Sequence, residues 1–207
     1  MARAFRATTR GYKAELQAHE RRLLSQLCAD VITMLTRRGT EVSGSQSSDD
    51  EFAHFRAELA GLGAELDDDA DPGLQPPEDA ALARLLPSAS ADEQEAAQFR
   101  RLAESSLRES KISDLRAARL ALESNTVVLS ESQAPGFGCA LDDVRLTLAT
   151  RLGIEEEADA EAIHENAGEG VAATTEEFMG ELYAFATWLQ ETLFTAMLDV
   201  LPEDDER

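Results

Sequence analysis

The sequence predicts an all-α protein, a single-domain helical bundle, and three observations predict it. Aromatic residues make up 5% of the chain while 43% of its residues are apolar, so the interior is drawn mainly from Ala, Leu and Val, which suits closely packed helices better than a β-sandwich. Apolar residues recur at steps of three and four through several long segments, the period of a helix that buries one face. Only one stretch, "NTVVLSES", has β-branched character. A chain of 207 residues has room for one sizeable core, or for two small helical lobes sharing a waist. One helical domain over 1–207 with about five to seven helices is the default expectation, with loops or flexible segments near 39–50, 67–78 and 155–173 and a tail at 202–207.

Taken in order, the first periodic segment runs from about Tyr12 to Arg38 and sets Leu24, Leu27, Cys28, Val31, Met34 and Leu35 on one face, with Gly39 as its stop. The polar "GTEVSGSQSSDD" follows, and then Phe52, Phe55, Leu59, Leu62 and Leu66 mark a second helix. "DDDADPGLQPPED" is a loop because its prolines and glycine do not fit inside a helix. "AALARLLP" makes a short helix ended by Pro87, and the segment from Ser90 to Ser124 makes one long helix or two, with a break near Ser105 and Ser106 favoured. "NTVVLSES" is too short for a sheet and leads, extended, into a helix that starts near Pro135 and carries "ALDDVRLTLATRLGI". An acidic spacer then reaches about Ala173. "TTEE" opens the last helix with a capping box from Thr174 to Glu177, and Phe178, Leu182, Phe185, Leu189 and Leu193 form its buried stripe.

Charge narrows the function classes. The formal net charge is −22, with 19 basic against 41 acidic residues, and lysine occurs only at Lys13 and Lys111. Up to Arg38 eight bases face three acids, while the rest of the chain sets 11 bases against 38 acids. Such a body repels phosphate, so stable DNA binding by the protein alone is not expected, and a basic head on an acidic body marks a protein-binding surface more often than an enzyme. No run approaches the ~18 apolar residues of a membrane span, and the Arg-dotted N-terminus lacks an apolar signal core. Two cysteines, Cys28 and Cys139, are too few for a secreted disulfide framework, so a cytoplasmic protein is expected.

The candidate sites are few. On a helix Leu141, Val144, Leu148 and Leu152 share a face that Arg145 flanks, and Asp142 lies three residues before Arg145, so the two make a structural ion pair at the margin of the core. Catalysis needs a nucleophile, a base of tuned pKa or a metal beside the carboxylates, and this motif supplies none. His19, His54 and His164 stand singly, without the spacing of imidazole metal ligands. Asp67, Asp69, Asp71 and Glu78 fall on positions 1, 3, 5 and 12 of an EF-hand loop. Pro72 stands where that loop needs glycine, and Pro76 and Pro77 stand where the exiting helix would begin, so calcium is not expected. Cys28 falls on an apolar stripe and reads as an inert core thiol, whereas Cys139, near a helix start, is the more reactive sulfur. A disulfide between them requires the first helix to pack against the entry of the Leu141–Leu152 helix.

In the same order along the chain, "YKAELQAHERRLLSQL", "DAALARLLP", "EAAQFRRLAESSLRESK", "ALDDVRLTLATRLGI" and "WLQETL" resemble the hallmarks of an actinobacterial oxidative-stress regulator family. That family was formerly a domain-of-unknown-function family of acidic helical proteins. The resemblance implies a cytoplasmic, non-enzymatic regulator of redox-responsive transcription that meets a sigma factor or RNA polymerase and carries no cofactor. Where the family helix usually has a Trp and an Arg, this chain has Phe137 and Cys139, and the closely spaced cysteines of a thiol switch are absent. A helical adaptor unrelated to transcription is the other class that fits these residues. Neither the partner surface nor the oligomeric state is written in the sequence.

Overall fold

The computed structural model describes residues 2–45, 74–166 and 174–200. Among them are strands β1 (Arg3–Thr8), β2 (Gly11–Glu15) and β3 (Thr126–Leu129). The helices are α1 (Ala18–Ser45), α2 (Ala80–Leu85), α3 (Glu93–Ala121), α4 (Ala134–Leu152), α5 (Glu157–Asn166) and α6 (Thr175–Leu198). The protein is therefore mostly helical, with one small sheet. Its contacts divide into two compact units, one of residues 1–32 and 111–207 and one of residues 33–110.

The first unit holds the sheet, in the order β1-β2-β3 with both pairs antiparallel. This corrects the expected start of the first helix: residues 3–15 form a hairpin, and α1 begins at Ala18. Tyr12, Ala14 and Leu16 are buried while their neighbours are not, a period of two that belongs to a strand. β3 supplies the matching alternation, with Val127 and Leu129 buried and Val128 exposed, so "TVVL" is a sheet strand and not merely a lead into the next helix. Tyr12 pairs with Leu129 and Ala14 with Val127. The hairpin turns through Thr9 and Arg10 and enters β2 at Gly11, whose φ of 105° lies where L side chains rarely go, and a Cβ there would stand 2.1 Å from the Leu129 carbonyl oxygen. Arg21 of α1 donates to the carbonyls of Leu122 (3.0 Å) and Glu123 (2.9 Å) past the end of α3, satisfying a helix terminus.

α4 packs against α6, and α6 also meets α5, β1 and β2. Small residues line the packed helices: Ala134, Ala140 and Ala149 on α4 and Ala186 and Ala196 on α6 are all buried. Phe137 enters the core edge-to-face with Phe5 of β1, ring centroids 5.7 Å apart. α6 opens with the capping box: Thr174 Oγ1 accepts from the Glu177 N–H (3.1 Å) and Glu177 Oε2 accepts from the Thr174 N–H (3.3 Å). Its buried face runs through Leu182, Leu189 and Leu193, but Phe178, expected on that stripe, is exposed. The expected acidic spacer contains α5, held at its start by Asp159, which accepts from the N–H groups of Glu155 and Glu156 at 3.0 Å each.

In the second unit α1 runs through Gly39 to Ser45, beyond its expected stop. α2 is capped by Asp79, whose Oδ1 accepts from Ala81 N–H (2.9 Å) and Leu82 N–H (3.0 Å), and it buries Ala81, Leu82 and Leu85. α3 is continuous where a break near Ser105 and Ser106 was expected. Both serines are exposed, and Ser106 Oγ donates back to the Ala103 carbonyl (3.1 Å), the way a serine sits on a helix surface without ending it. The expected helix at Phe52–Leu66 lies outside the described residues. Among the described residues, no helix is long and apolar enough to cross a membrane.

Gly11→Ala tests the sheet. With a positive φ and a backbone clash to relieve, it is expected to destabilise the protein by about 2 kcal/mol or more, read as a lower urea midpoint, with β3 amides losing hydrogen-exchange protection.

Candidate functional site

The expected pair is present at the edge of α4: Arg145 Nη2 lies 3.3 Å from Asp142 Oδ1, with the two side chains 28% and 42% exposed. So open a pair is worth at most about 1 kcal/mol. The buried acid is its neighbour. Asp143 is 2% exposed, and its Oδ1 accepts from Lys111 Nζ of α3 at 2.5 Å while Oδ2 is buried without a hydrogen-bond partner. Burial raises the Asp143 carboxyl above its ordinary range, against the opposing hydrogen bond and charge of Lys111. A carboxyl raised in the folded state binds its proton more tightly there than in the unfolded chain. Its contribution to stability is therefore full at acid pH and falls as pH rises through the folded value.

The two sulfurs lie in the same unit and both are free thiols. Cys28 is buried on the α1 stripe, and desolvation pushes its thiol up to about 12. Cys139 is exposed, but it is the sixth residue of α4, past the first turn whose unpaired N–H groups would favour a thiolate. Partial desolvation and then the Asp114 and Asp143 carboxylates raise its pKa instead. Asp114 approaches the entry of α4 closely, since a Cβ on Gly136 would meet its Oδ1 at 2.8 Å.

A second cluster, unforeseen in the sequence, lies wholly in the unit of residues 33–110. Glu104 on α3 is 3% exposed. Arg38 of α1 grips it with both arms, Nε to Oε1 at 2.9 Å and Nη2 to Oε2 at 3.2 Å, and also donates to the Gln75 carbonyl at 2.5 Å. Arg100 and Arg108, one turn to either side of Glu104 on α3, each bring Nη1 to 3.6 Å from it. Arg100 is anchored by the Leu86 carbonyl (2.9 Å) and Ser88 Oγ (3.0 Å). Three guanidiniums thus share one carboxylate. The signal in the sequence was Arg-x-x-x-Glu-x-x-x-Arg, which ordinarily describes a solvated helix face.

Of the near-miss calcium loop, Asp67, Asp69 and Asp71 lie outside the described residues, and Glu78 is exposed just ahead of the α2 cap. Among the described residues no group of three or more His, Cys, Asp or Glu is placed to hold a metal ion.

Residues 2–197 match the family described as "Domain of unknown function (DUF2017)", and the chain belongs to that family. No curated protein and no solved structure matches the chain.

Two outcomes follow from this geometry. Lys111→Met leaves a buried carboxylate uncompensated and is expected to cost about 3 kcal/mol at neutral pH. In urea titrations the loss shrinks as the pH falls and Asp143, its carboxyl raised by burial, takes up a proton. Iodoacetamide at neutral pH should label Cys139 more slowly than glutathione and label Cys28 only after denaturation, as resolved by intact-mass spectrometry. Rapid labelling of either native thiol would contradict the acidic, desolvated surroundings described.

Proposed function

We propose that this DUF2017-family chain is a non-enzymatic cytoplasmic regulator that acts by protein–protein contact, with a sigma factor or RNA polymerase as its partner and the oxidative-stress response as its setting. The observation that carries the reading is the acidic surface of α6 together with the apolar edge it exposes beside α4, where one side of the Phe194 ring rests on Gly138. Four glutamates and no basic residue lie between Thr175 and Leu198. One turn apart near its end, Phe194 and Leu198 are 40% and 65% exposed, and Glu191 precedes Phe194 by three residues on the same side. An apolar strip rimmed by acids complements an apolar surface ringed by Lys and Arg, the kind of surface that proteins of the transcription machinery turn to nucleic acid. The net charge of −22 opposes direct contact with the nucleic acid itself. The ordered sequence resemblance to oxidative-stress regulators supports the choice of partner.

The test is site-specific photo-crosslinking in cells from position 195 of the full chain, which is exposed beside Leu198 on the same end of α6. A nuclease-resistant adduct with polymerase or a sigma factor is expected, and Leu198→Glu should cut its yield by more than about tenfold without changing Tm. A different stoichiometric partner at that position would replace the transcriptional reading with the adaptor one. An unchanged yield in Leu198→Glu would remove α6 as the docking face.

A further inference from the structure

We propose that the Arg38–Arg100–Arg108 cluster around Glu104 is a binding site for a small tetrahedral dianion of the phosphate type. The inference stands on charge and on donor inventory, and it is independent of the partner proposed for α6. One carboxylate is satisfied by one bidentate arginine, and Arg38 already supplies that grip at 2.9 and 3.2 Å. Arg100 and Arg108 add two positive charges, so the four side chains together carry +2 with their guanidiniums within 3.6 Å of the same carboxylate. Repulsion among them is sustained at low exposure, where water screens poorly. A dianion balances that excess.

The donors show where it binds. The forks of Arg38 and Arg100 are spent on Glu104, Gln75, Leu86 and Ser88. Arg108 differs: among the described residues it donates no hydrogen bond, and its one ion-pair contact is the 3.6 Å approach to Glu104. Its side chain is 13% exposed, so a guanidinium with five N–H donors reaches the surface while anchored in the cluster. α1 accommodates it at Gly39, where a Cβ would lie 3.0 Å from Arg108 Nε and 3.1 Å from Nη2. A glycine in the interior of a helix costs stability, and here it opens the space that holds the guanidinium flat against the helix. A planar fork presented at the mouth of a positive cluster suits two oxygens of a phosphate group. The low exposure of Arg38, Arg100 and Glu104 favours inorganic phosphate or a small phosphomonoester over a polymer.

The test uses the full chain and inorganic phosphate, with sodium chloride at matched ionic strength as control. Phosphate should raise Tm saturably and give a single-site heat in calorimetry, while chloride gives neither. Arg108→Gln should keep the ligand-free Tm and weaken phosphate by at least about tenfold, the loss of one charged fork. Gly39→Ala, which crowds the same guanidinium without removing it, should weaken phosphate several-fold and serves as the deciding variant if Arg108→Gln fails to fold. Glucose 6-phosphate run beside inorganic phosphate distinguishes a phosphomonoester from the free ion: equal or tighter binding assigns the monoester, and binding of phosphate alone assigns the ion. An equal response to chloride, or a full response retained in a folded variant of either kind, overturns the site.

Discussion

The close approach of α4 to α6 is the contact on which the first unit depends. A chain with 5% aromatic residues cannot fill wide gaps between helices with large rings, so its helices must come close enough for small side chains to touch. The buried alanines of α4 and α6 permit this. The ring of Phe194 lies against Gly138, where a Cβ would stand 2.6 Å away. At that distance Gln190 reaches across to donate to the Gly138 carbonyl at 3.1 Å, so a polar side chain is satisfied inside the interface. The cost of tight packing is that α4 is buried over a wide arc, Asp143 included. Lys111 is the answer to that burial, and its charge is what keeps the packed arrangement from holding an uncompensated carboxylate.

Scarce bases are thereby drawn inward. Arg38 and Arg100 are buried, Arg108 nearly so, and Lys111, one of only two lysines, is tied to Asp143. Each base spent on the interior leaves the surface more acidic than composition alone requires. The two properties are one: an interior knit by guanidiniums on Glu104 and an ammonium on Asp143, and an exterior such as that of α6, without a single basic residue. Such an exterior selects partners by sign before any side chain packs.

How much of this was legible follows from what is local in the chain. Helices announce themselves within a few turns, and the capping box at Thr174 and the pair at Asp142 and Arg145 are both read from residues three apart. The sheet is not local. β2 and β3 are separated by more than a hundred residues, and each is too short to show its alternation convincingly, so Tyr12 and Ala14 were absorbed into the helix that follows them. The same limit hid the arginine cluster, since Arg38 lies 66 residues from Glu104. The same limit applies within "LDDVR". A narrow stripe of Leu141, Val144 and Leu148 leaves both aspartates off the buried face, Asp143 on the opposite side, whereas the wide burial of α4 takes in Asp143 and leaves Asp142 outside.

The thiols show how placement within an element decides chemistry. Cys139 at a helix start would face unpaired N–H groups and a positive dipole end, both of which favour thiolate. Because α4 begins at Ala134, with Pro135 and Gly136 inside its first turn, the sulfur stands beyond that field and beside the Asp114 and Asp143 carboxylates. Peroxide reacts with thiolate, so partial desolvation and then these carboxylates hold this thiol protonated and slow. Cys28, pushed up to about 12 by burial, is slower still. For the regulatory role proposed above, both sulfurs stand in poor surroundings for sensing peroxide. A signal in that role would come through a bound partner or ligand, which alters the populations of states by differential affinity rather than by oxidation of the chain.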